Sequence, residues 1–206
     1  MSFTTSWSIS TAHVYELQMN RSRIIRWRSN SSRYGVVAQA LHWLTVLLVI
    51  AAYVLSKSDG NSLYAAEADG LRRIHETLGI LVFAVVVLQL LWRLTDDALA
   101  KRLIPRWAAV ASKLVRFALY ALLLSIPATA LLGTWLEGIP ITLIGFDIIP
   151  PIAQEQRLGQ VIMEIHKALG EAILYVAGAH AAAALFHHFC LRDDVLQSML
   201  PDKRMY

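Results

Sequence analysis

Read for polarity alone, the chain is four unbroken apolar runs joined by shorter polar connections. The runs cover roughly Val37–Ser56, Glu76–Leu94, Leu114–Trp135 and Ile165–Phe189, and each can cross a hydrocarbon core, which takes about 20 helical residues at about 1.5 Å of rise. They are continuous and rich in Leu, Ala and Val, where a transmembrane barrel would show short segments of alternating polarity. The pattern predicts an all-α, membrane-embedded four-helix bundle. Pro127 falls inside the third run and predicts a kink with a packing role only. The last connection, GIPITLIGFDIIPPIAQEQ, contains Pro140, Pro150 and Pro151. It is expected to be ordered by its apolar side chains against the mouth of the bundle more than by regular structure.

Composition agrees with the pattern. Of 206 residues, 56% are hydrophobic and 17% charged, and the mean hydropathy is +0.49, outside the usual range of soluble domains. The net charge of +4 invites a nucleic-acid partner until the basic residues are located. Arg21, Arg23, Arg26, Arg28 and Arg33 precede the first helix, and Lys101, Arg102, Arg106, Lys113 and Arg116 lie in or beside the connection between the second and third. The opposite connections carry Lys57, Arg72, Arg73, Arg157 and Lys167. Such asymmetry reports topology: both termini are expected in the cytoplasm of a multi-pass membrane protein, surrounded by lipid and with no nucleic-acid partner.

Cys190 is the single cysteine, so no internal disulfide forms, and the absence of a C-x-x-C-H sequence excludes c-type haem attachment. Residues 1–33 are rich in Ser and Arg and lack the apolar core of a signal peptide. They are expected to form a disordered cytoplasmic arm, with Met19 as an alternative start and the Arg21–Arg33 cluster as a contact for anionic lipid. The helical domain then covers residues 34–201, and residues 202–206 form a short tail.

Six of the seven histidines lie in or at the edge of the apolar runs: His42, His75, His166, His180, His187 and His188. Ionisable groups are costly inside a membrane and mark function when they gather. His75 and His166 fall near the same surface and share a local pattern, Ile-His-Glu-Thr-Leu-Gly79 and Ile-His-Lys-Ala-Leu-Gly170, with a glycine one turn on along the same face. A surface without side chains beside an imidazole suits a flat macrocycle. His180 follows His166 by about 21 Å on nearly the same face, so one helix offers two stacked ligand positions. His42 lies about 13–14 Å into the bilayer from Arg33, against about 18 Å for His180 and about 7–8 Å for His187 measured from Arg192, so depth alone separates these two partners only slightly. Two His–His pairs at two depths fit two non-covalently held haems; zinc or copper takes three or four ligands together, and a transporter would want carboxylates at mid-membrane.

At these residues the chain resembles the bacterial cytochrome b561 family of di-haem membrane proteins, in particular its superoxide oxidase type. The resembling segments are Arg33 to Thr45 with its His-Trp, Ile74-His75, Leu91-Trp-Arg93, the loop Ile141–Pro150, and His166 to Pro201 with HAAAALFHH, roughly residues 33–201 in all. The resemblance implies two haem b groups, His42 with His180 toward the cytoplasm and His75 with His166 toward the periplasm, and ubiquinone as an electron partner. It says nothing of the long arm.

The expected function is a di-haem oxidoreductase moving electrons between the periplasmic face and the ubiquinone pool, most specifically oxidising superoxide and reducing ubiquinone. His187, one step beyond His180 on nearly the same face, is placed to bond a quinone carbonyl and pass a proton. Arg33, Arg93 and Arg116 are candidate propionate or quinone partners. Arg72, Arg73 and Lys167, beside His75 and His166, are candidates for steering the superoxide anion. Two other readings stay open: a membrane anchor exchanging electrons between quinone and a periplasmic redox protein, and a histidine-based metal-binding or transport protein.

Overall fold

A computed structural model describes residues 27–29, 33–57, 69–96, 106–150 and 155–201. Its elements are α1 (Val36–Lys57), α2 (Asp69–Thr95), α3 (Arg106–Leu136), a hairpin of β1 (Ile141–Leu143) and β2 (Phe146–Ile149), and α4 (Gln156–Phe186). A π-helical turn, His187–Leu191, continues α4, and a 3₁₀ turn, Gln197–Met199, follows it. All four expected spans are present as helices long and apolar enough to cross a membrane. α2 and α3 begin earlier than the apolar runs, because the helical ladder continues through the charged residues that flank them.

The four helices run up and down, so the starts of α1 and α3 and the ends of α2 and α4 share one end of the bundle, called here the terminal end. The hairpin lies at the other. Little of the helical surface is buried against protein: among the described residues the large buried apolar side chains are Val82, Val85, Val86, Ile141, Met163 and Ile173, whereas Leu47, Leu94, Phe117 and Tyr175 are each more than 60% exposed. Helices apolar on all sides with so small a protein core have lipid as their outer solvent.

Close approach occurs where side chains are smallest. A Cβ on Gly133 of α3 would stand 2.6 Å from Met163 Sδ of α4, and one on Gly159 of α4 would stand 2.6 Å from Glu137 Cγ. Glu137, just past α3, is held above the usual carboxylate range by burial, which the nearby Lys167 ammonium opposes. α1 meets α2 through the buried Thr45, whose Oγ1 lies 3.4 Å from Gln89 Oε1.

Side chains fasten the two ends of the bundle. At the terminal end, Arg33 Nη2 donates to Gln197 O at 2.8 Å, Tyr34 N to Ser198 O at 3.2 Å, and Trp43 Nε1 to Met199 O at 2.9 Å. Ser29 N donates to Asp96 Oδ1 at 3.0 Å and Gly35 N to Ser29 Oγ at 3.0 Å, so the last residues of the basic arm join α1 to the end of α2. The rest of that arm, and the tail 202–206, lie outside the described residues.

The hairpin is more regular than its sequence suggests. Leu143 pairs with Phe146 across a tight turn in which Ile144 and Gly145 both have positive φ, 51° and 81°. That geometry normally selects Asn-Gly, and an isoleucine there is unfavourable by about 1–2 kcal/mol. Bonds to α2 hold it: Ile144 N donates to Thr77 Oγ1 at 3.1 Å and Arg73 Nη1 to Gly145 O at 3.0 Å.

Candidate functional site

At the hairpin end, α2 carries His75 and α4 carries His166 to face each other, with ring centroids 6.3 Å apart and planes at 84°. Each ring is oriented by a backbone carbonyl of a third and fourth helix. His75 Nδ1 lies 2.9 Å from Ala52 O of α1, and His166 Nδ1 lies 2.9 Å from Ile126 O of α3. A carbonyl oxygen only accepts, so Nδ1 must hold the proton in both rings and Nε2 keeps its lone pair. This is the tautomer and the locked orientation that metal-ligating histidines require.

The separation fits one ion between the rings: two metal–nitrogen bonds of about 2 Å, with about 1 Å more from each nitrogen to its ring centre, sum to roughly 6 Å. A haem iron needs only two protein ligands because its macrocycle supplies the others. Among the described residues His, Cys, Asp and Glu do not gather in threes, which is the donor set zinc or copper would take. There is also room for the macrocycle. A Cβ placed on Gly79, Gly170 or Gly178 would meet nothing within 4 Å, so the glycines one turn beyond His75 and His166 open space beside both rings. The residues present fit haem.

Pro127, expected from the sequence to have a packing role, is buried beside Ile126. Thr129 Oγ1 donates to Ser125 O at 2.8 Å and to Ile126 O at 2.9 Å, and Ile126 O is also the acceptor for His166. The turn of α3 that contains the buried Pro127 is thus the turn that orients His166.

Glu76, next to His75, was not singled out by sequence reasoning. Its Oε1 accepts from Thr142 N at 3.1 Å and its Oε2 from Thr142 Oγ1 at 2.6 Å, and Thr142 is fully buried. With Arg73 and Thr77 it latches the hairpin over the start of α2. The clue available in the sequence was a carboxylate adjoining an intramembrane histidine; its partner, 66 residues away, was not readable.

The three candidate steering cations all have acidic neighbours. Arg72 lies 3.4 Å from Glu76, Arg73 is 3.6 Å from Asp147, and Lys167 is 2.6 Å from Glu164. The local positive field at this end is correspondingly reduced.

Toward the terminal end, His42 of α1 and His180 of α4 lie within electrostatic range of each other, and Arg116 of α3 within range of His180. The His42 ring also packs edge-on against Trp43 at 5.5 Å. Further along, α4 widens into the π-helical turn that begins at His187, a form frequent at functional sites. There His187 Nδ1 lies 2.6 Å from Asp193 Oδ2, and Arg192 between them adopts the left-handed conformation that closes the turn. Asp193 Oδ1 also accepts from Val195 N at 3.0 Å, which fixes the carboxylate. His188 instead meets the ring of Phe189 edge-on at 4.9 Å. Arg93 and Arg116 line one groove between α2 and α3, whereas Arg33 lies apart from them on the carbonyls of Gln197 and Leu200.

Comparison with known proteins bears on this arrangement. Residues 33–202 match the family described as prokaryotic cytochrome b561. Similar proteins include cytochrome b561 homolog 1 of Escherichia coli (strain K12), 26% identical over 180 residues, covering 84% of this chain and 99% of the relative. Cytochrome b561 homolog 2 of the same organism is 29% identical over 179 residues, covering 82% and 91%. A protein of Yersinia pestis named "Probable superoxide oxidase CybB" is 26% identical over 177 residues, covering 84% and 98%.

Proposed function

Since the chain belongs to the prokaryotic cytochrome b561 family, and is thereby an integral membrane electron-transfer protein, we propose that it oxidises superoxide at one membrane face and reduces ubiquinone at the other. It holds two haem b groups, one between His75 and His166 and one between His42 and His180. The hairpin end faces the periplasm and the terminal end the cytoplasm of a bacterial inner membrane, in keeping with the cluster of arginines and lysines at the terminal end. The observation that carries the reading is the pair His75 and His166, their ring centroids 6.3 Å apart and each Nδ1 committed to a carbonyl, which leaves Nε2 as the ligating nitrogen. Bound haem supplies the capacity to take and release single electrons.

The overall reaction balances without a further reductant. Two superoxide anions lose one electron each and leave as two molecules of dioxygen. One ubiquinone takes those two electrons and two protons and leaves as ubiquinol. The protein's own residues handle anions and protons. His187, oriented by Asp193, presents its second ring nitrogen for a quinone carbonyl and is placed to pass it a proton. Superoxide arrives past Arg72, Arg73 and Lys167, whose net attraction is tempered by Glu76, Asp147 and Glu164. The name of the Yersinia relative supports the choice of superoxide.

The pairing of all three cations favours a second reading, in which the hairpin end exchanges electrons with a periplasmic redox protein and needs no anion steering. The test is direct. Purified protein given a steady superoxide source and a soluble ubiquinone analogue should form one quinol for every two superoxide anions consumed, beyond the uncatalysed rate. Quinol formation at the background rate, with haem still reduced by an added protein donor, would favour the second reading.

A further inference from the structure

A groove of about 590 Å³ runs between α2 and α3 at the terminal end and opens to the outside of the bundle. Its lining divides by chemistry. Arg93, Lys113, Arg116 and Tyr120 supply polar groups, and Leu91 and Phe117 belong to an apolar wall. Leu91 and Phe117 are 55% and 73% exposed, so this wall is on the outside of the bundle and not in its core.

Among the described residues no carboxylate pairs with Arg93, Lys113 or Arg116; Arg116 Nε donates to Ser112 O at 3.0 Å, which aims the guanidinium. Three positive charges around one cleft attract an anion strongly where water is scarce. Their depth narrows the choice. α3 has 31 residues, so it is roughly 46 Å long and exceeds a hydrocarbon core of about 30 Å. Counting back about 20 residues from Leu136 reaches the turn that contains Lys113 and Arg116, so these charges sit at the headgroup boundary. Arg93 reaches the same level from the last turn of α2.

We propose that this groove binds an anionic phospholipid, its phosphate among Arg93, Lys113 and Arg116 and an acyl chain along the Leu91 and Phe117 wall. Basic pockets between transmembrane helices recognise phosphate headgroups in this way. A quinone head, which is neutral and offers two carbonyl oxygens, leaves three cations unmatched. Because Arg116 is also within electrostatic range of His180, the bound phosphate adds negative charge near the His42–His180 pair. It therefore lowers the potential of a group held there.

Lys113 is exposed and has no part in the proposed redox machinery, so it separates lipid binding from haem or quinone contacts. The experiment uses the haem-loaded protein in nanodiscs of phosphatidylcholine with graded phosphatidylglycerol. Retained lipid is counted by native mass spectrometry, and the terminal-end potential is titrated in the same samples. Wild type should keep phosphatidylglycerol preferentially and show a potential that falls as it is added. Lys113→Gln should bind it about tenfold more weakly, as loss of one charged hydrogen bond implies, with haem content unchanged and Lys113→Arg restoring binding. Inorganic phosphate added to pure phosphatidylcholine discs should not reproduce the shift. Equal lipid retention by wild type and Lys113→Gln would overturn the proposal. So would loss of haem from Lys113→Gln, which would make the cations propionate partners, or a full shift with inorganic phosphate alone, which would make the site one for the free anion.

Discussion

His75 and His166 have no freedom in the placement of their ring protons, because each Nδ1 faces a carbonyl oxygen that accepts and cannot donate. That restriction makes the four histidine substitutions fall into two classes. His75→Ala and His166→Ala should each remove the hairpin-end haem and leave the other, while His42→Ala and His180→Ala should do the reverse. Haem content and redox titration of the four variants check this. Loss of a haem from His187→Ala, with both retained in His180→Ala, would contradict the assignment on α4. His187→Ala is expected instead to keep both haem spectra and to slow exchange with a ubiquinol analogue by about 10²-fold or more, the scale of general acid–base assistance. Asp193→Asn should show a milder loss, since it keeps the ring contact and removes the charge. The candidate histidines stand out in the sequence because imidazoles in apolar runs are conspicuous, whereas the choice of His180 over His187 as partner of His42 came from the family resemblance. The orienting partners of His75 and His166 do not stand out, because Ala52 O and Ile126 O are backbone atoms whose side chains carry no signal.

The elements differ in how much of them the residues announced. The helices were legible as apolar runs, since lipid requires every backbone group to be satisfied within its own segment. The hairpin was not. Ile144-Gly145 is not a turn signature, and the strands are only three and four residues long. What stabilises the turn is its attachment to α2 through Glu76, Thr77 and Arg73. Thr142→Val removes the hydroxyl donor to Glu76 and leaves a carboxylate that is 11% exposed short of one bond. The expected cost is about 1–3 kcal/mol, measured as a lowered midpoint of thermal unfolding in detergent. The same change should shift the potential of the haem between His75 and His166 and leave the other unmoved. Equal movement of both potentials would mean that the latch acts on the bundle as a whole.

Across the molecule, antiparallel helices bring histidines that are far apart in sequence to two levels. α4 contributes to both: His166 at the hairpin end and His180 toward the terminal end, one helix serving two sites because 14 residues return nearly to the same face. The proposed orientation of this stack rests on the sequence asymmetry of arginine and lysine, whereas the pairing of Arg72, Arg73 and Lys167 with carboxylates emerged only when the hairpin and helix turns were in place. The central claim is that the two levels each hold a haem by two imidazoles, and potentiometric titration of the purified protein's visible spectrum, with haem counted on the same sample by its pyridine complex, tests it most directly. The account predicts two haem b per chain, both six-coordinate and low-spin, titrating as two one-electron waves. A single wave with one haem per chain, or full occupancy by another metal with no haem bands, would contradict it.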